Sequence, residues 1–297
     1  MDSFSNDIVI RFASYLSSQD LVNLSLTCRK FGSSHLHDSG SSLMENTAHQ
    51  IMCNADQDER DSLPKLANQT YMELYSELEK LRAPRVFDQL VGNDISYVDH
   101  DKSHLKYIKE EVSYMRPNTA ICNHAMRAGR HYITFTIGGN CPHFAQVGII
   151  RPIKDWDKKG LNLWDPREPG YFDELQQERT DSWGDSTVQV CSLMAGSMRL
   201  PNGNVLGFNT VLTSSWQSDG ALEQHRWDQR VAFESGDKIG MLLDVDAGTL
   251  TVYKNCRRVG IMKDGLSGEY CWCGVIITPG PDIHIEKGYI PTDDNFH

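Results

Sequence analysis

GDKIGMLLDVDAGTLTVYKN, residues 236–255, is the stretch whose reading decides the fold. Ile239, Met241, Leu243 and Val245 recur at every second position, which predicts a strand with one apolar face. Asp246-Ala247-Gly248 predicts a reversal, with Gly248 suited to a positive φ, and TLTVYKN predicts the returning strand. The same grammar extends outward. HYITFTIGG (131–139) puts Ile133, Phe135 and Ile137 on one face and Tyr132, Thr134 and Thr136 on the other. DISYVDHDKSHLKYI (94–108) reads as two short strands round a polar turn, QVGII (146–150) as a short apolar strand, and CWCGVII and DIHIEKG as two closing strands. Short strands parted by turn signals predict an antiparallel β-sandwich over 85–290, followed by a tail at 291–297.

The chain begins in a different idiom. In FSNDIVIRFASYLSSQDLVNLSLTCRKF (4–31), Ile8, Phe12, Tyr15 and Leu16 give the stripe of a one-sided helix. Ser17 is placed as an N-cap with Asp20 three residues on, and Leu21, Leu24, Cys28 and Phe31 form a second stripe. The polar tract GSSHLHDSGSS closes this module at residue 42. Some forty residues rarely bury a self-sufficient core, so so many apolar side chains need a further surface to cover them. Residues 43–84 predict a helical spacer, with Tyr71, Leu74, Leu78 and Leu81 in helical register and Pro84 as the stop.

Bulk properties narrow the function. The 297 residues are 39% apolar and 23% charged, enough to bury a sizeable core. A formal net charge of −11 argues against nucleic acid and against an anionic membrane surface. No apolar run approaches the roughly 18–20 residues that span a bilayer, and MDSFSNDIVIRF lacks a basic start and a cleavage site. The expectation is a cytoplasmic or nuclear protein, neither secreted nor membrane-spanning, with its eight cysteines as reduced thiols.

Catalytic and metal chemistry find little support. Cys122-x-His124, Cys141-x-His143 and Cys271-x-Cys273 are spaced too closely for paired zinc knuckles, so no metal is expected. GGNCPHF (138–144) lacks the Gly-Lys-Ser/Thr of a phosphate loop, and no nucleophile elbow accompanies any Cys–His pair. No cofactor and no catalytic residue are expected, and a hydrolase on a β-sandwich is the remotest reading.

The segment from Lys154 to Asp185 is the least strand-like part of the sandwich region. It holds Trp156, Trp164, Tyr171, Phe172 and Trp183, and its stretch from Asp165 to Asp185 carries seven acids against two arginines. Two readings stand side by side. The aromatics form a target-binding surface for a short, extended, neutral-to-basic peptide, or they pack back on the sheet beneath an acidic solvated loop.

Residues 236–277 resemble the second half of a SPRY domain at Gly236, Asp237, Gly240, Asp244, Gly248, Thr249, Leu250, Tyr253, Asn255 and Gly260. Gly129, His131 and Gly148 resemble positions of its first half, and Ser182-Trp183-Gly184 its S-W-G. Cys256 stands where the family has the glycine of an N-G turn. Residues 4–31 resemble an F-box through Asp7, Ile8, Val9, Ile10, Ser14, Tyr15, Leu16, Asp20, Leu21, Leu24, Ser25, Cys28, Arg29 and Phe31, with Phe4-Ser5 in place of Leu-Pro and Ala13 in place of a large apolar residue. The resemblances imply a mainly β protein: an F-box-like module at 1–42, the helical spacer, and a SPRY-type sandwich. They imply a non-catalytic substrate receptor of an SCF-type ubiquitin ligase. Ile8, Val9, Phe12, Tyr15, Leu16, Leu21, Leu24 and Phe31 would meet a Skp-type adaptor, a cullin would follow, and the sandwich would bind a target protein or peptide. The alternative is a SPRY scaffold unattached to a ligase.

Overall fold

The computed structural model describes residues 6–27, 32, 42–63, 69–109, 115–140, 144–166, 171–194, 213–218, 221–226 and 235–291. The chain divides into a helical unit, residues 1–83 with 128–130, and a second unit of 84–127 with 131–297.

In the helical unit, α1 (Asn6–Ala13) and α2 (Ser18–Thr27) precede α3 (Leu43–Cys53), α4 (Gln57–Asp61) and α5 (Tyr71–Arg82). The starts are fixed by side-chain caps. Ser17 Oγ accepts from the Asp20 amide at 3.1 Å, as the sequence predicts, and Ser42 Oγ accepts from the Glu45 amide at 3.2 Å. Thr70 and Glu73 form a reciprocal capping box on α5. Polar ties then join helices: Glu79 Oε2 accepts from the Ser18 amide at 2.9 Å, adding negative charge at the α2 N-terminus, and the Tyr75 hydroxyl donates to Leu16 O at 2.6 Å. Burial, then the neighbouring Glu79 carboxylate, pushes the Tyr75 hydroxyl up to about 12. Ala13, Leu21, Leu43, Ala48, Ile51, Met72, Tyr75, Leu78 and Leu81 share one core. Helices of the expected spacer therefore pack together with those of the expected module. Leu78 and Leu81 of the expected stripe are buried in that core and Leu74 packs against it, while Tyr71 is 43% exposed and Met72 and Tyr75 enter the core beside them.

The second unit is two antiparallel seven-stranded sheets. Its strands are β1 (Gln89–Val91), β2 (Ile95–Val98), β3 (Asp101–Tyr107), β4 (Asn118–Ile121), β5 (Arg130–Gly139), β6 (Ala145–Ile150), β7 (Val188–Met194), β8 (Thr213–Ser218), β9 (Ala221–Arg226), β10 (Lys238–Asp244), β11 (Thr249–Lys254), β12 (Arg257–Lys263), β13 (Cys271–Ile276) and β14 (Pro281–Lys287). One sheet runs β1-β4-β13-β6-β7-β8-β9 and the other β12-β11-β10-β5-β14-β3-β2. The mainly β, antiparallel sandwich expected from the sequence is thus the observed fold. Ile133, Phe135, Ile137, Ile239, Met241, Leu243, Ile283 and Ile285 face Val147, Ile149, Cys191, Leu193 and Trp272 across the main core. Among the described residues no helix is long and apolar enough to cross a membrane.

The opening stretch forms the β10–β11 hairpin, in register from Ile239 opposite Lys254 to Asp244 opposite Thr249. Gly248 has φ +67°, and a Cβ there would stand 2.5 Å from Leu266 O. At the other end, Asn255 Nδ2 donates to Asp237 Oδ1 at 2.7 Å and its Oδ1 accepts from the Lys238 amide at 2.9 Å. Lys254 adds an ion pair to Asp237 at 2.8 Å. The Asp and Asn of the motif are therefore partners across the hairpin, which accounts for their spacing. Gly240 lies directly beneath the Tyr132 ring, leaving no room for a side chain. Asn255 and Cys256, with φ of 49° and 66°, make the next reversal, so the turn keeps left-handed geometry without its glycine.

Candidate functional site

Two places carry the side chains that the sequence singles out, one in each unit. On α1, Ile8 is 45% and Phe12 73% exposed, and Tyr15, in the turn that follows, is 82% exposed. Their spacing of four and three puts them along one face, and the Tyr15 amide donates to Phe12 O at 3.2 Å, carrying the helical path past Ala13. Val9, Leu16 and Leu24 are half-buried against the unit's own core. Leu21, also expected at that contact, is fully buried in the same core. Phe31 lies outside the described residues. Leu26, which the sequence reading passed over, is 80% exposed on α2.

The second place is the outer face of the β1-containing sheet. Val91, Ile121, Ile150, Val190, Cys271 and Cys273 point outward from five of its strands, and residues 153–166 and 171–183 cover them. This segment holds two 3₁₀ turns, Trp156–Lys159 and Asp181–Trp183, and the short helix α6 (Phe172–Gln177). Trp156 and Trp164 are fully buried with ring centroids 4.6 Å apart, and Trp183 is 1% exposed. Tyr171 is half-buried, its hydroxyl donating to Leu163 O at 3.4 Å. The Phe172 side chain lies outside what is described. The three tryptophans therefore pack back on the sheet, and none of these three rings is open to the surface.

Arg151 anchors the layer from below. Fully buried, it donates to Ser267 O and Ser186 O at 2.8 Å each and to Glu269 O at 3.1 Å, with its guanidinium 4.0 Å from the Tyr270 ring centroid. Loss of hydration lowers it to about 10. Cys122 and Cys271 are buried thiols raised well above their usual value, first by loss of hydration. Cys141 and His143 lie outside the described residues.

Beside the layer opens a cleft of about 600 Å³. Asp88, Gln89, Asn123, Ile153, Asp157 and Ser182 are among the residues lining it. Gln89, 5% exposed, ties its walls together: Nε2 donates to Asn123 Oδ1 at 2.6 Å and Ile153 O at 2.8 Å, while Oε1 accepts from the Trp156 amide at 3.0 Å. Asp88 precedes β1, Gln89 opens it and Asn123 follows β4, all far in sequence from the aromatic segment, and no local pattern in the sequence brings them to it.

No protein-family model matches the chain, and no curated protein does. Among solved structures the chain is similar to the TRIM65 PSpry domain, with 15% identity, 71% of this chain and 97% of that one covered, and a TM-score of 0.42. It is similar to the SPRY domain of human HERC1, with 14% identity, coverage of 67% and 97%, and a TM-score of 0.40. Stonustoxin is similar at 11% identity, over 68% of this chain and 27% of that one, with a TM-score of 0.36. These are distant likenesses, and the fold stands on the strand pairing itself.

Proposed function

We propose that this chain is a non-catalytic adaptor that joins a target protein, held by its SPRY-type sandwich, to a Skp-type subunit and cullin of an SCF-type ubiquitin ligase in the cytoplasm or nucleus. The observation that carries the reading is the exposed row of Ile8 and Phe12 on a short helix with Tyr15 in the turn that continues it. Three large apolar side chains in helical register are what a helix-in-groove contact needs, and leaving them in water is unfavourable without one. The SPRY assignment draws support from the physical roles of its motif residues: Asp237 and Asn255 bonded across a hairpin, Gly240 under Tyr132, and Gly248 at a positive φ. Such an adaptor acts by proximity, raising the local concentration of a target lysine at a distant active site.

The test is capture of a Skp-type adaptor and a cullin by the full chain. Phe12→Asp and Ile8→Asp should each abolish capture by setting a carboxylate in an apolar contact, a cost of several kcal/mol. Because both side chains are exposed, thermal stability should hold. Capture that survives both changes would leave the second reading, a SPRY scaffold unattached to a ligase. That reading draws on the burial of Leu21 within the helical unit, which narrows the free face to α1 and Leu26.

A further inference from the structure

Strand β12 (Arg257–Lys263) ends its sheet: β11 pairs with it on one side, and no strand among the described residues pairs with the other. A terminal strand turns part of its backbone N–H and C=O groups toward the open side, where another chain can continue the ladder. With seven residues β12 is the longest of the four terminal strands, against three in β1, four in β2 and six in β9. Val259 and Met262 hold it to the main core, while Arg257, Arg258 and Ile261 are exposed. The cations around them are matched. Lys254 pairs with Asp237 at 2.8 Å, Lys238 with Glu286 at 2.9 Å and Lys263 with Asp264 at 3.8 Å. Arg257 and Arg258 have neither an ion pair nor a side-chain hydrogen bond among the described residues. In a chain of formal net charge −11, these two adjacent guanidinium groups reverse the sign locally, on an edge that is open.

We propose that β12 receives an extended acidic segment of the captured protein as an added antiparallel strand, with two adjacent carboxylates opposite Arg257 and Arg258 and an apolar side chain beside Ile261. The inference rests on the reading that the sandwich holds a target protein. The backbone ladder selects an extended segment, and the side chains select which one. A guanidinium offers paired donors to a carboxylate, so two of them in succession favour two acids in succession and set the register. The same charges tell against a second copy of this chain as the occupant. An antiparallel copy paired about Gly260 would set Arg257 opposite Lys263, and a parallel copy in register would set arginine beside arginine. The charge on the edge thus disfavours self-pairing and favours a strand of opposite sign.

The experiment uses the full chain, isotope-labelled, titrated with acetyl-Ser-Thr-Val-Thr-Thr-Glu-Glu-Ser-amide and with the same peptide carrying Gln-Gln for Glu-Glu. A third peptide, N-methylated at its valine and the two threonines that follow, keeps the charge and loses ladder donors. The amide signals of Arg258, Val259 and Ile261 should shift with the acidic peptide, and amides of β12 that exchange freely in the unbound chain should become protected. The Gln-Gln peptide should bind at least about fivefold more weakly, and the methylated peptide should not bind. Arg257→Gln combined with Arg258→Gln should weaken binding of the acidic peptide about tenfold, and rising salt should weaken it in the parent. Both side chains are exposed, so the melting temperature should not change, and the Gln-Gln peptide on the parent chain keeps the test decisive if it does. Equal binding of the Gln-Gln peptide, shifts confined to another surface, or an unaltered affinity in the double variant would overturn the proposal. So would protection of every β12 amide in the unbound chain, because the edge would then already be covered. Binding of none of the peptides would overturn it too, and would leave the arginines the task of keeping other strands away. Adaptor capture by the same full chain separates the two readings. Capture without peptide binding removes the edge assignment alone, and peptide binding without capture removes the ligase attachment alone.

Discussion

Phe12 and Trp164 are both large apolar side chains in stretches rich in them, yet Phe12 is 73% exposed and Trp164 is fully buried. The difference lies in what stands opposite each. A helix with apolar residues on more than one face can turn only part of them to its own unit. Val9, Ile10 and Leu16 pack inward, and Ile8, Phe12 and Tyr15 are left outside. Trp164 comes instead from a segment lying over a sheet whose outer face is itself apolar, with Ile121, Ile150 and Val190 waiting to be covered. The same chemistry is thus used once to leave a surface open and once to close one. Aromatic content marks apolar area, and the neighbouring layer decides whether that area is core or contact.

The largest expected effect is in the closed layer. Trp164→Ala should cost about 3–5 kcal/mol by urea unfolding of the full chain, since it opens a cavity against Trp156. Phe12→Ala, at its exposed site, should stay within about 0.5 kcal/mol of the parent. Equal costs for the two would break the contrast. Helix α2 repeats it within ten residues. Leu21→Ala should cost about 2–5 kcal/mol, and Leu26→Ala, 80% exposed, should be close to neutral.

Gly248→Val comes next, at about 1–3 kcal/mol of backbone strain, with crowding against Leu266 O in addition. It tests whether the hairpin that anchors the sandwich is as strictly built as its sequence suggests, and a midpoint equal to the parent's would say that it is not. The smallest change has the opposite sign. Cys256→Gly should stabilise by about 1 kcal/mol, because φ of +66° is free of steric cost only for glycine. A fall in the unfolding midpoint would mean that the cysteine side chain makes a contact outweighing its strain.

Much of this was legible in advance. Period-two alternation located β5, β10 and β14, and the pattern DAGT placed the reversal at Gly248. One further clue was present and carries the lesson of the tryptophans. QVGII and CWCGVII are apolar at successive positions, so both faces of β6 and β13 had to be covered, and the observed burial is continuous along each. A strand that is apolar on both faces demands a second layer. The segment nearest in the chain with enough aromatic area to supply one was 154–185, which favours packing over display.

The cleft was not legible in that way. Asp88, Asn123 and Asp157 belong to separate segments, and nothing in a local pattern says that they meet. Alternation, capping and turn chemistry act over a few residues, so strands such as β5, β10 and β14 and the helix start at Ser17 could be read from the sequence. The sequence by itself also determined the acidic character of the 154–185 segment. Which apolar side chains face water, and which polar side chains meet around the cleft, depended on the tertiary structure. Burial and ion pairing depend on distance in space, and in this chain the deciding partners are far apart in sequence, as Gln89 is from the Trp156 amide it holds.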